Sequence, residues 1–235
     1  MQDKNITETM YGKWTFNHEV SKCFDEMLNR SIPDFKNLTE LITGITTTQN
    51  KQKPRILDIG CGTGTSIKPI IERIPQAEYY LIDNSYDMLQ QAEKKFKGQN
   101  NVNIIHQDIT ETPITYQNID ICLSILTLQF IPIDYRQKVL TQIYNSLNKK
   151  GIFLLVEKVW SNHYEINNIL NNMYYSHKQK EYYTKNEINQ KKQKLINTLI
   201  PLTPQMNQEL LQDVGFKKID IFWKNINFIG YICIK

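Results

Sequence analysis

Arginine is scarce in this chain of 235 residues. Of its 28 basic residues only Arg30, Arg55, Arg73 and Arg136 are arginines. Lysine therefore carries nearly all the positive charge, which suits a solvated surface better than bidentate phosphate recognition. The formal net charge of +4, from 28 basic against 24 acidic residues, is mild. A nucleic-acid surface usually concentrates basic residues on one face, so no stable nucleic-acid complex is expected. Cysteine is sparse too. Cys23, Cys61, Cys122 and Cys233 lie far apart without a CxxC pair, so neither a zinc site nor a dithiol redox motif is suggested. Cys122 and Cys233 sit within apolar runs and read as buried thiols. No run approaches the roughly 18 apolar residues of a membrane span, and no apolar leader opens the chain. A cytoplasmic location with no membrane partner is the expectation.

Apolar residues make up 40% of the chain and charged residues 22%, enough for a packed core. The length suits one elaborated domain better than two. Apolar residues at helical spacing mark helices over 19–30 (Val20, Phe24, Met27, Leu28) and 34–45 (Leu38, Leu41, Ile42), the second with Asp34 as N-cap. Residues 46–53 are polar. Residues 1–53 thus read as an N-terminal helical extension, and 54–235 as the main domain. From residue 54 apolar strands alternate with helices: strands at 55–59, 78–83, 102–107, 119–125 and 152–157, helices at 65–73, 85–97 and 134–148. Near-continuous apolar strands with intervening helices imply a parallel sheet covered on both faces. Gly151 reads as a helix C-cap. Residues 161–200, crowded with Asn, Lys and Tyr, read as a helical cap, although the polar stretch 186–197 would also suit a solvated loop. A helix at 204–214 and a strand pair at 217–223 and 226–234 complete a doubly wound, Rossmann-like sheet of seven strands.

Residues 55–64, Arg-Ile-Leu-Asp-Ile-Gly-Cys-Gly-Thr-Gly, carry the chemistry. An apolar strand stops at an acid, three glycines alternate with small residues, and a helix start follows. Glycine lets the backbone approach a ligand where a Cβ would collide. The turn is not the dinucleotide G-x-G-x-x-G, and no phosphate-binding lysine follows it. Asp58, Asp83 and Asp108 recur 25 positions apart (83 − 58 and 108 − 83) at strand ends. In doubly wound sheets ligands bind at such ends. Asp83 can accept from two ribose hydroxyls, with Asn84 beside it. Asp108 with the Ile109 backbone can reach an adenine edge, Asp58 suits an ammonium group, and Cys61 and Ser124 lie at neighbouring strand tips. A ligand with ribose, adenine and an amino-acid tail but no phosphate fits this set.

Asp58–Gly64, Asp83 and Asp108 resemble the class I S-adenosylmethionine-dependent methyltransferases. Across almost the whole chain, Gly12-Lys13-Trp14-Thr15-Phe16, Phe24-Asp25-Glu26-Met27, Arg30-Ser31-Ile32-Pro33, Thr127-Leu128-Gln129-Phe130, Glu157-Lys158 and Asn186–Lys191 resemble the carboxy-S-adenosylmethionine synthase family. The resemblance implies a methyltransferase fold, S-adenosylmethionine as cofactor, a homodimer, and a helical lid over 161–200. It also implies conversion of S-adenosylmethionine with prephenate into a carboxylated cofactor used in tRNA wobble-uridine modification. Four positions depart from that family. Gly62 stands for its serine, Ile125 for its asparagine at the fourth strand's end, and Phe35 for its tyrosine near the cofactor. Lys192 stands for the arginine that pairs with the added carboxylate. A planar guanidinium grips a carboxylate better than a lysine point charge.

These departures favour an enzyme on that scaffold that gives the ordinary methyl group to a small-molecule N or O acceptor. Carboxy transfer and non-catalytic binding of S-adenosylmethionine are the alternatives. Methyl transfer is an in-line displacement, so the protein mainly positions the acceptor. A base, where needed, would be His163, His177 or Glu157, although each histidine reads more readily as an exposed loop residue. Tyr174 and Tyr175 of the cap should point to different helix sides, only one of them facing an acceptor. Tyr11 and Trp14 could close over the cofactor, and Lys192 could hold an acceptor carboxylate.

Overall fold

In the computed structural model of the chain, residues 14–49 and 51–235 are described. Tyr11, with Gly12 and Lys13, lies outside them. One seven-stranded sheet runs in the order β3-β2-β1-β4-β5-β7-β6. Its strands are β1 (Arg55–Ile59), β2 (Glu78–Asp83), β3 (Val102–His106), β4 (Ile119–Ile125), β5 (Leu147–Lys158), β6 (Lys218–Asn225) and β7 (Phe228–Ile234). β1 to β5 pair in parallel, whereas β7 runs antiparallel to both β5 and β6. The chain reverses direction in sheet order between β1 and β4, and ligands of such sheets sit at the carboxyl ends on either side of that point.

Strand alternation divides the core. Ile56, Ile121, Leu123, Leu154 and Val156 pack on one face, and Leu57, Ile59, Cys122, Phe153 and Leu155 on the other. The first face is covered by α2 (Phe35–Thr47), α3 (Lys68–Arg73) and α4 (Tyr86–Lys95), the second by α5 (Ile133–Ser146) and α8 (Pro204–Asp213). The N-terminal helices share this core: Leu38 and Ile42 of α2 are fully buried in it. α1 (His18–Ser31) starts at Asn17, whose side chain accepts the Val20 N–H at 3.1 Å. Beneath it Trp14, Val20, Met27 and Met88 form a smaller apolar cluster at the sheet's carboxyl edge.

Three local expectations fail. Asp34 precedes α2 but holds a left-handed backbone, φ 55°, and its side chain makes no cap. α3 begins at Lys68, not at 65, because Gly64 to Ile67 are still turning. Gly151 caps no helix: α5 ends at Ser146, β5 starts at Leu147, and Gly151 lies inside the strand. There a Cβ would stand 2.9 Å from the Asn148 carbonyl oxygen. The cap is two helices, α6 (Tyr164–Lys180) and α7 (Lys185–Leu195). The polar stretch at 186–197 stays helical because Thr184 and Glu187 form a capping box, with Thr184 N donating to Glu187 Oε2 at 2.7 Å and Glu187 N to Thr184 Oγ1 at 3.2 Å.

Candidate active site

A cavity of about 890 Å³ opens over the carboxyl ends of β1, β2 and β4. The β1 turn forms its floor. Gly60, Gly62 and Gly64 all take positive φ, 69°, 57° and 76°. A Cβ at Gly62 would meet the Phe24 ring at 3.0 Å, so the turn leaves room for helix and ligand only without side chains there. Gly62 N donates to Asp83 Oδ2 at 2.8 Å, and Ser85 N to Asp83 Oδ1 at 2.8 Å. Burial pushes the Asp83 carboxyl upward, opposed by these backbone donors. Asp108 accepts the Thr110 N–H at 2.8 Å and its hydroxyl at 2.6 Å, and Asn84 donates to it at 3.3 Å. Burial raises its pKa, but these donors outweigh that and hold it below the ordinary carboxylate value. Asp83 and Asp108 therefore present placed acceptors at this end of the cavity.

The turn is fastened from above by α1. Asp25 accepts hydrogen bonds from Thr63 and Thr65, and Lys95 of α4 pairs with it at 2.7 Å. Before α1 the chain crosses the cavity mouth. Trp14 N donates to the Lys194 carbonyl of α7 at 3.1 Å, and the Ser85 hydroxyl donates to the Phe16 carbonyl. Behind the turn, Thr127 to Phe130 form a loop and a short 3-10 helix. Buried Arg136 pins it, donating to the carbonyls of Ile131 at 2.8 Å and Ile200 at 2.7 Å.

The far end is cationic. Tyr164, Asn168, Asn171, Tyr175 and Lys178 recur at steps of four and three along α6 and all line the cavity. On α7, Ile188, Lys191, Lys192 and Leu195 do the same, and Lys158 enters from β5. The ammonium groups lie against aromatic faces: Lys158 is 4.4 Å from the Tyr174 ring centre, Lys178 5.0 Å from Tyr183, Lys191 5.2 Å from Trp14 and Lys192 5.8 Å from Tyr175. Burial and the neighbouring Lys192 lower Lys158 to about 8. Burial, with Lys191, Lys158 and Arg30 nearby, lowers Lys178 to about 6. Among the described residues, the carboxylates lining the cavity are Asp83 and Asp108.

Of the residues expected from the sequence to hold a cofactor, Gly60, Cys61, Gly62, Asp83, Asn84, Asp108 and Ile109 line this cavity. Asp58, Ser124 and Phe35 do not. Asp58 is buried behind the turn, one carboxyl oxygen unpartnered, and burial with Asp83 nearby raises it to about 7. Ser124 is enclosed within the central strand, and Phe35 packs into the core with Ile32 and Leu38. Trp14, Tyr174, Tyr175 and Lys192 reach the cavity. Both tyrosines do so, their ring centres 6.0 Å apart, where only one was expected to face the site. None of the three expected bases lines it. His163 is exposed at the start of α6, and His177 is half-buried on α6 without lining the cavity. Glu157 is 2% exposed under the 3-10 turn, its carboxyl raised to about 8 by burial, which the nearby Arg136 opposes. Lys158, Lys178 and Lys191 were not singled out. For Lys178 the signal was available, since it continues the four-and-three spacing of the cap tyrosines.

Residues 56–151 match the family model described as a methyltransferase domain. Curated proteins named carboxy-S-adenosyl-L-methionine synthase are similar over the whole length. That of Nautilia profundicola is 33% identical with 100% of both chains covered, and that of Staphylococcus epidermidis 35% identical with 95% of this chain and 97% of the relative covered. Solved structures share the fold at lower identity. Human N-acetylserotonin methyltransferase in complex with SAM superposes with TM-score 0.62 at 16% identity, covering 92% of this chain but only 55% of that enzyme. A TehB-like SAM-dependent methyltransferase from Corynebacterium glutamicum gives TM-score 0.60 at 14% identity, with 93% and 100% covered. The chain belongs to the carboxy-S-adenosyl-L-methionine synthase family, a group of S-adenosylmethionine-dependent enzymes with the class I methyltransferase fold.

Proposed function

We propose that the protein is a carboxy-S-adenosylmethionine synthase, joining a carboxyl group from an anionic donor to the methyl carbon of S-adenosylmethionine. The observation that carries this reading is the polarity of the cavity among the described residues, with Asp83 and Asp108 at one end and Lys158, Lys178, Lys191 and Lys192 at the other. Ribose hydroxyls, an adenine amine and an amino-acid tail suit the acid-lined end. The glycine turn is open enough for a nucleoside and has no lysine suited to a phosphate. At the other end stand Lys158, Lys178, Lys191 and Lys192. A neutral amine or phenol acceptor gives such a cluster nothing to bind, whereas a donor and a product both bearing carboxylates do. Ordinary methyl transfer, the reading favoured by the loss of the family's arginine at Lys192, therefore yields to carboxy transfer. Lys192 does not act alone, and the family's positive charge is carried by a group of lysines stacked on rings.

When bound, S-adenosylmethionine supplies a sulfonium that acidifies its methyl carbon. The chain's part is to hold the nucleoside at Asp83 and Asp108, to seat the carboxyl donor on Lys158, Lys191 and Lys192, and to enclose both beneath α6 and α7. Prephenate, the donor implied by the family resemblance, bears two carboxylates and matches the spread of cations. The test is to incubate the full chain with S-adenosylmethionine and prephenate and read the nucleoside product by mass spectrometry. Carboxylated S-adenosylmethionine is expected. S-adenosylhomocysteine formed with amine or phenol acceptors, and no carboxylated product, would return the reading to methyl transfer.

A further inference from the structure

Carboxylation of the methyl carbon requires a proton to leave it, and the bases expected from the sequence do not reach the cavity. His163, His177 and Glu157 are outside its wall, and Asp83 and Asp108 are engaged at the nucleoside end by Gly62, Ser85 and Thr110. Burial raises Tyr174, which keeps its phenol protonated and so unable to accept the proton. Among the described residues lysines remain, and of these Lys178 is the most enclosed, 5% exposed. Among the described residues no carboxylate pairs with it and no hydrogen bond engages its ammonium. The groups facing it are the rings of Tyr174 on its own helix, 5.4 Å away, and Tyr183, 5.0 Å away, with Arg30 of α1, Lys158 of β5 and Lys191 of α7.

We propose that Lys178 is the proton-transfer residue of this enzyme, its side-chain amine taking the proton from the S-methyl carbon and handing it to the fragment the carboxyl donor leaves behind. The inference rests on the reading of the protein as a carboxy-S-adenosylmethionine synthase. The C–H bond of the methyl group breaks, its electron pair forms the new bond to the carboxyl carbon, and the proton goes to Lys178. The donor's bond to that carboxyl group breaks. Its electron pair stays on the donor fragment, which receives the proton from Lys178 at the carbon left behind or at an oxygen that carbon expels. No oxidant or further reactant is consumed. A base here must be an uncharged amine before the reaction. Burial and the surrounding cations favour that form, holding Lys178 near 6, whereas Lys158 stays near 8.

Two variants of the full chain test this. Lys178→Met removes the amine, and Lys178→Arg keeps a positive charge that does not release its proton near neutral pH. Both should lower carboxy-S-adenosylmethionine formation at least about 100-fold. Calorimetric affinity for S-adenosylhomocysteine should stay within about threefold, since Lys178 lies away from Asp83 and Asp108. An arginine variant with wild-type turnover would overturn the proposal, because charge alone would then suffice. A second readout needs no turnover: in protein carrying 13C-labelled lysine, one side-chain signal should titrate near pH 6 and be missing from both variants. A Lys178 signal titrating with the surface lysines would sink the proposal even in an active enzyme. If the wild-type chain makes no carboxylated product while that signal titrates low, the functional reading is what has failed, and the proposal falls with it.

Discussion

Gly60→Ala probes how tightly the cavity floor is braced. Gly60 holds φ at +69°, in the left-handed region that costs a residue with a side chain about 1–2 kcal/mol. A Cβ there would run into Cγ2 and Oγ1 of Thr127 and lie 2.9 Å from its Cβ. Thr127 has little room to yield. Its hydroxyl donates toward the Gly60 carbonyl at 3.4 Å and the Ile125 carbonyl at 3.3 Å, and Arg136 pins the turn that follows. Overpacking of this kind costs about 1–3 kcal/mol. The two effects together put Gly60→Ala roughly 2–5 kcal/mol below the wild type. Adding Thr127→Ala removes the two closest atoms and leaves only the Cβ. The double variant should regain about 1–2 kcal/mol of the steric share while keeping the conformational share. Urea unfolding gives the stabilities, and calorimetry with S-adenosylhomocysteine reports whether the floor has moved. Additive losses, within about 0.5 kcal/mol, would show that Thr127 is not the brace and refute the reasoning.

Other outcomes follow from the same geometry. Asp83→Ala, which removes the acceptor at the β2 tip, should weaken S-adenosylmethionine binding by about 1.5–3 kcal/mol in calorimetry, the scale of charged hydrogen bonds; unchanged affinity would remove Asp83 from the site. Asp25→Ala, which frees Thr63, Thr65 and Lys95 from α1, should cost about 1–3 kcal/mol of stability and lower ligand affinity as the turn loosens, seen in paired unfolding and binding titrations. Glu157 is raised from 4.5 to about 8 in the folded chain, so the fold holds its proton more tightly than the unfolded chain does. Its contribution is full below about 4.5 and is lost as pH rises through 8. Glu157→Gln should thus match the wild type at low pH and exceed its melting temperature increasingly toward pH 9. Parallel melting curves for the two proteins across that range would contradict this.

Strand and helix order, the glycine turn, and the acids at the tips of β2 and β3 were all readable in one dimension. They are local: the apolar runs of 55–59 and 119–125, the positive φ that only glycine takes cheaply, and an acid ending a buried strand each act within a few residues. Gly151 misled because a glycine after an amphipathic stretch looks the same whether it caps a helix or lies within a sheet. Asp58, Ser124 and Phe35 occupy plausible positions in the chain, but whether a strand-tip side chain opens to a cavity or turns into the core depends on which helix lies over it. The lysines were the larger omission. Lys158 from β5, Lys178 from α6 and Lys191 and Lys192 from α7 are separated by up to 34 positions (192 − 158) and meet only when the cap folds over the sheet. Backbone preference and hydrophobic period act over neighbours, so they settle the scaffold and the nucleoside end. Charge summed in a closed cavity acts across the fold, so the chemistry of the far end emerges only in three dimensions.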